Sequence, residues 1–171
     1  MKRKVFLILW YSFARFLPDS YGPMGGVFNA FRIFCVKRIF KKCGNISTVN
    51  RMVYFGNGYE VEIGDGSGLG ANNHIPNNIK IGKYVMMGPN IYIFRSNHRF
   101  ARIDIPMCYQ GEEDGVPSII EDDCWIGANV IMTPGRRIRK GSIVGAGSVL
   151  TKDFEEYSIV AGNPAKLIRK R

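Results

Sequence analysis

The sequence predicts an all-β chain wound as a parallel β-helix, a solenoid of short strands, with a helical segment in front and one extruded loop. Three observations carry this. An apolar residue recurs every sixth position through two blocks, Gly repeatedly follows it, and the beat stops once for more than twenty residues before resuming. A helix of period 3.6 cannot keep a strict six-residue beat with Gly beside it. A solenoid can: one side chain per unit turns to the axis, short strands pair with the coil above, and Gly or Asn takes turns where φ becomes positive. Such internal repetition decides the fold before any other signal.

The first fifty residues lie outside the beat and form the first expected unit. They hold nine Lys/Arg against the single acid Asp19, whereas the whole chain of 171 residues carries a net charge of +10. The charge therefore describes this segment, and nucleic-acid binding by the remaining domain is not indicated. VFLILWYSFARFLP follows MKRK as the start of a signal peptide would. Arg15 breaks its apolar run, no convincing cleavage site follows, and it is too short to span a bilayer. VFNAFRIFCVKRIFKKCG sets Phe28, Phe31, Phe34 and Ile39 at roughly helical spacing with bases opposite and Gly44 placed as a C-cap. Two readings stay open: a pair of helices packed on the main domain or a partner subunit, or a basic amphipathic arm (residues 1–45) against an anionic membrane face. Cys35, Cys43, Cys108 and Cys124 show no metal-ligand spacing and read as reduced thiols of a cytoplasmic protein.

The second unit, residues 51–171, carries the repeat. From Ile63 the chain divides into IGDGSG, LGANNH, IPNNIK, IGKYVM, MGPNIY and IFRSNH. From Ile120 it divides again into IEDDCW, IGANVI, MTPGRR, IRKGSI, VGAGSV and LTKDFE. The fifth position is small or medium-sized, as in Ser67, Val85, Cys124, Val130, Ser142 and Ser148. IGDGSGLG imitates a phosphate-cradling loop, but no helix-forming run follows, so its glycines are turn residues. Between the blocks, residues 97–119 form a loop of mixed charge, with Phe100, Met107 and Tyr109 expected to anchor it. Structureless insertions of this length in compact domains usually serve function, and this one reads as a lid.

The repeated [Ile/Leu/Val]-Gly-x-x-[small]-x unit resembles the hexapeptide-repeat family. That resemblance implies a left-handed β-helix with three units per coil, so that Ile63 stacks on Ile81, Leu69 on Met87, Ile75 on Ile93 and Ile120 on Ile138. NHRFARIDIPMCYQG, IIEDDCWIGANVIMTPG, VGAGSVLTKD and IVAGNPAKLIRKR narrow it further. Together they resemble the sugar O-acetyltransferases of this class, including those that modify surface polysaccharides and the maltose and galactoside acetyltransferases. The resemblance implies a cytoplasmic homotrimer that transfers acetyl from acetyl-CoA, its acyl-donor substrate, to a saccharide hydroxyl, with no metal and active sites between subunits. With the basic arm, it would sit at the inner face of the membrane.

A sugar hydroxyl attacks a thioester only as a base removes its proton, and imidazole suits that task near neutral pH. His98 matches the family's catalytic base. Asn72 matches an asparagine that holds the acceptor or the oxyanion, though a left-handed turn residue is an equal reading. His74 stays open between a substrate-site residue and a turn residue. For acetyl-CoA, the resemblance assigns Trp125, Gly127, Ala128, Gly145 and Ala146 to the pantetheine groove, followed by Thr151 and Lys152. Lys166 and Arg169 would meet the CoA phosphates, with Lys170 and Arg171 adding charge. A carbonic anhydrase of this fold needs three histidines, and the chain has two. Solenoid nucleotidyltransferases need a preceding nucleotide-binding domain, and serine acetyltransferases a longer helical one. A non-catalytic scaffold subunit, or transfer to a small non-sugar acceptor, remains the alternative.

Overall fold

The computed structural model describes residues 2–171. Helix α1 (Lys2–Ser12), a single 3-10 turn (Ala14–Phe16) and helix α2 (Gly25–Ile39) come first. The helices run antiparallel, since Phe6 meets Phe34 at 5.6 Å while Phe13 meets Phe31 at 6.1 Å between ring centroids. Together they cover the open end of the solenoid, the place where a stacked core would otherwise meet water. Trp10 is fully buried, packs on Phe55 at 5.0 Å and donates its indole N–H to the Val53 carbonyl. Cys35, Val36 and Ile39 point into the same core.

Two expectations for this segment are corrected. The helix ends at Ile39 with Phe40 as its C-cap, so Gly44 does not stop it. Gly44 belongs instead to the first coil, where a Cβ would lie 2.8 Å from the Asp65 backbone nitrogen. Nor are apolar and basic faces cleanly opposed. Ile39 is buried and Phe34 exposed, while Arg32 is buried completely. Its guanidinium donates to the carbonyls of Val49, Leu17 and Pro18 and to Ser20 Oγ, which ties the inter-helix turn to the first coil.

The solenoid begins at Lys42, ahead of residue 50, and has three faces of parallel two-residue rungs. Face A stacks Lys42–Cys43, Glu62–Ile63, Lys80–Ile81, Ile119–Ile120 and Arg137–Ile138. Face B stacks Thr48–Val49 on Gly68–Leu69, then Met86–Met87, Trp125–Ile126, Ile143–Val144 and the strand Ser158–Ala161, about six turns in all. The step between its two halves is closed by the Gly68 N–H on the Val85 carbonyl, 3.0 Å. Face C stacks Tyr54, His74 and Tyr92–Ile93 on Ile131–Met132 and Val149–Leu150. The expected stacking of Ile63 on Ile81 and of Ile120 on Ile138 is present in these registers. Across the loop the phase is kept, with Ile81 opposite Ile120, Met87 opposite Ile126 and Ile93 opposite Met132. The C-terminal strand Lys166–Lys170 turns back antiparallel on Ser158–Ala161 and closes the other end.

Most units bury more than the one side chain expected. The fifth position also faces inward: Ser67, Val85, Val130 and Ser148 are fully buried, and Cys124 and Ser142 nearly so. Small residues fit there because the chain is turning a corner, and a hydroxyl can satisfy it, as Ser67 Oγ does on the Gly82 carbonyl at 2.7 Å. The fourth position takes the left-handed conformation at corner after corner, by Gly66, Asn72, Tyr84, Asn90, Asp123, Asn129, Gly135, Gly141 and Gly147.

Candidate active site

His98 stands where the chain leaves face C. The coil there runs Tyr92–Ile93, Phe94, Arg95 and then outward, returning at Ile119. The two ends of the loop zip together antiparallel. Arg99 N–H donates to the Gly111 carbonyl at 2.9 Å and Glu113 N–H to Asn97 at 2.8 Å, with His98 opposite Glu112. Ser96 Oγ donates to the Glu112 carboxylate, 2.9 Å. Farther out, the Gln110 amide binds the carbonyls of Arg102 and Ile105, and Arg102 pairs with Asp104. Phe100, Met107 and Tyr109 do not anchor the loop as expected: all three are exposed, so backbone pairing and Gln110 hold it. The His98 side chain is exposed, and among the described residues its ring makes no hydrogen bond.

Asn72 lies at the opposite edge of face C, on the corner entering from face B. Its φ is 57°, and its side-chain Nδ2 donates to Asn90 Oδ1 at 2.9 Å; Asn90 in turn donates to Asn129 at 3.1 Å. These three fourth-position residues form an amide ladder along the corner. Within one chain the structure does not bring Asn72 and His98 together. Asn73 is the buried member of the pair, and its Oδ1 accepts the Ile91 N–H at 3.0 Å.

The same corner gathers most of the proposed donor-binding residues. Gly127 and Ala128 sit under Gly145 and Ala146, so closely that a Cβ on Gly127 would lie 2.5 Å from the Ala146 nitrogen. Gly147 N–H donates to the Ala128 carbonyl, 2.8 Å. One coil on, Gly145 N–H donates to Val160, and Ala161 pairs with Lys166. Trp125, half exposed, projects from face B in register with Met86, Ile143, Ile159 and Arg169. A shallow backbone-lined track therefore runs from Trp125 along the glycine corner to Lys166 and Arg169. Neither of these two cations has an ion-pair partner among the described residues. Lys170 and Arg171 are differently placed: Lys170 donates to the Glu156 carbonyl and Arg171 pairs with Asp123 at 2.8 Å. Thr151 and Lys152 fall at the far corner of face C, two coils beyond the root of the His98 loop.

Sequence reasoning missed an aromatic column. His74 lies between Tyr54 and Tyr92, with centroids 4.3 Å away on either side, and Phe94 continues the stack at 4.7 Å. Burial, reinforced by nearby Arg15, lowers the His74 pKa below the ordinary imidazole value. Part of the signal was present: the residue just before each leading apolar one points outward, and His74 and Tyr92 are eighteen apart, whereas Tyr54 lies twenty before His74, ahead of the regular beat.

The hexapeptide repeat of succinyl-transferase model matches residues 117–152. The chain is 44% identical over 92 residues to a Schizosaccharomyces pombe protein provisionally assigned as an acetyltransferase, covering 54% of this chain and 43% of that one. It is 31% identical over 137 residues to the galactoside O-acetyltransferase of Escherichia coli, covering 79% and 66%. The chain thus spans less than two thirds of the length of these relatives. Among solved structures, a maltose O-acetyltransferase from Clostridium difficile superposes with a TM-score of 0.78 at 30% identity, covering 99% of this chain and 86% of that one. A hexapeptide-repeat acetyltransferase from Vibrio cholerae complexed with acetyl coenzyme A gives 0.73 at 27%, covering 82% and 76%.

Proposed function

The chain belongs to the hexapeptide-repeat acetyltransferase family, and from that premise we propose that it transfers acetyl from acetyl-CoA to a hydroxyl of a saccharide, with His98 as general base. The observation that carries this is the free, exposed imidazole of His98 at the root of the loop, in a chain whose other histidine is stacked into a structural column. The saccharide acceptor is supported by the maltose and galactoside acetyltransferases among its relatives. A surface-polysaccharide unit is the acceptor class we favour.

In the proposed reaction the acceptor hydroxyl binds with its proton directed to the His98 ring. As the oxygen attacks the thioester carbonyl, the imidazole takes that proton. The tetrahedral intermediate collapses, the carbon–sulfur bond breaks, and the departing thiolate recovers the proton from the imidazolium. The track from Trp125 past Gly127, Ala128, Gly145 and Ala146 holds the pantetheine arm through backbone groups, since a corner of Gly and Ala, with no side chain beyond a Cβ, lets a thioester approach the main chain. Lys166 and Arg169 meet the CoA phosphates. Thr151 and Lys152, at the His98 side of face C, complete the donor site. Asn72 and the glycine corner it shares with the pantetheine track reach His98 only from a neighbouring copy, which fits the homotrimer with shared sites that the family resemblance implies.

The test is steady-state kinetics with acetyl-CoA and a panel of glycosides, with a non-sugar alcohol for contrast. His98→Ala should lower kcat by about 10²–10⁴ while the affinity for CoA stays near wild type. Lys166→Ala should raise KM for acetyl-CoA more than KM for the acceptor. Wild-type turnover by the His98→Ala protein, or equal effects of Lys166→Ala on both KM values, would reject the respective assignment. Turnover of the alcohol alone would reject the saccharide.

A further inference from the structure

Helix α2 is apolar on both sides. Its inner side supplies Cys35, Val36 and Ile39 to the core, yet Val27 and Phe34 on its outer side are 62% and 43% exposed. Helix α1 repeats the pattern, with Trp10 inside and Val5 and Ile8 outside at 58% and 69% exposed. A helix apolar all round is normally covered all round. Val5 and Ile8, three apart, share one side of α1, and Val27 and Phe34, seven apart, share one side of α2; the Phe6–Phe34 and Phe13–Phe31 contacts hold the two helices together.

The charged residues that the two helices bring to this end of the hairpin are all basic. Because the helices are antiparallel, Lys2, Arg3 and Lys4 at the start of α1 meet Lys37 and Arg38 at the end of α2. Among the described residues none of the five has an ion pair, though Arg3 donates to the Phe40 carbonyl and lies over Tyr59, and Lys37 helps to lower the Asp65 carboxyl pKa; the neighbouring Lys41 and Lys42 are satisfied by Glu60 and Glu62. Arg38 lies flat on the Phe34 ring, 3.6 Å from its centroid, so charge and apolar surface are contiguous. Local helix stability does not explain the bases of α1. The first turn of a helix favours acids, and here it has none while three cations oppose the helix dipole.

We propose that the outer face of the α1–α2 hairpin docks on an anionic lipid surface, with Val5, Ile8, Val27 and Phe34 entering the headgroup boundary and the basic cluster meeting lipid phosphates. Among the described residues no helix is long and apolar enough to cross a membrane. The hairpin lies on the surface instead, its inner side still capping the solenoid. A second copy is the poorer occupant, because a two-fold contact at this end would set five cations against five.

Sedimentation of the full chain with sucrose-loaded vesicles tests this. The protein should pellet with phosphatidylcholine vesicles containing about 30 mol% phosphatidylglycerol at about 0.1 M salt, and not with phosphatidylcholine alone. Ile8→Ser/Val27→Ser and Lys2→Gln/Lys4→Gln/Lys37→Gln should each weaken binding at least about tenfold, with melting temperature and assembly mass unchanged. Wild-type protein left in the supernatant would overturn the proposal, as would undiminished binding of either variant. A changed assembly mass in Ile8→Ser/Val27→Ser would also overturn it, by showing that this face is an interface between copies.

Discussion

At the scale of single residues, the two histidines sit in opposite surroundings, His98 exposed and His74 stacked. His74 is stacked between two tyrosines, and burial with Arg15 nearby favours its neutral form. Its folded-state pKa therefore lies below the unfolded value of about 6.5. Below that value the unfolded chain takes up a proton that the folded one resists. The stability His74 contributes is thus complete above about pH 6.5 and is lost as pH falls toward its folded pKa. His74→Phe keeps a ring in the column and removes the titration. Urea midpoints measured from about pH 7 to about pH 5 should fall less for the variant than for wild type; parallel curves would remove the linkage. The place of His98 at the root of the loop was legible from the break in the six-residue beat. The column was hidden because its members are different residue types, visible only when Tyr54, His74 and Tyr92 are read down one face.

At the scale of the element, the hexapeptide is a corner and a rung, and its glycines do two jobs. At the second position, Gly127 is required by the next coil: a Cβ would lie 2.5 Å from the nitrogen and 2.8 Å from the Cα of Ala146. Those are backbone atoms and cannot yield without moving a rung. At the fourth position, Gly147 has open space around a Cβ but a φ of 71°. Gly147→Ala should therefore cost about 1–2 kcal/mol for the left-handed conformation. Gly127→Ala, an overpacking, should cost about 1–3 kcal/mol and also disturb the neighbouring coils. Urea unfolding gives both values, and hydrogen exchange at the Trp125–Ile126 and Ile143–Val144 rungs should quicken only in Gly127→Ala. Equal exchange in the two variants would refute this division of labour. The leading apolar residue of each unit was readable because its chemistry never changes. The fourth position was not, since Gly, Asn, Asp and even Tyr84 occupy the same conformation. The helices were readable as helices, but not by which side they bury. With apolar residues on both sides of α2, periodicity carries no direction, and Arg32 looks like a surface base until its carbonyl partners are in place.

For the whole molecule, the three faces of the solenoid differ in what they show to water. Outward positions on face A are mostly charged and internally paired: Lys42 with Glu62 at 3.0 Å, and Arg137 with Glu121 at 3.0 Å. Face B shows Met86, Trp125, Ile143 and Ile159, and face C shows Tyr54, His74, Tyr92, Ile131 and Val149, all exposed or half-buried. Two unlike apolar faces on one subunit suit head-to-tail contact, which closes into a ring rather than a two-fold pair. His98 and Asn72 stand at opposite edges of face C, so such contact would also set one copy's loop beside another's asparagine corner. In the proposed homotrimer face C would lie between copies, and a charge placed there should break it. Ile131→Glu buries an unpaired carboxylate at that contact and should lower the mass in light scattering from three copies to one, with loss of acetyl transfer. Arg137→Ala on face A should leave mass and turnover unchanged. Three copies persisting in Ile131→Glu, or a single copy in wild type, would show that face C is not where the subunits meet. An Ile131→Glu protein that is monomeric yet fully active would instead confine the active site to one chain, and Asn72 would then be the turn residue its left-handed backbone already makes it.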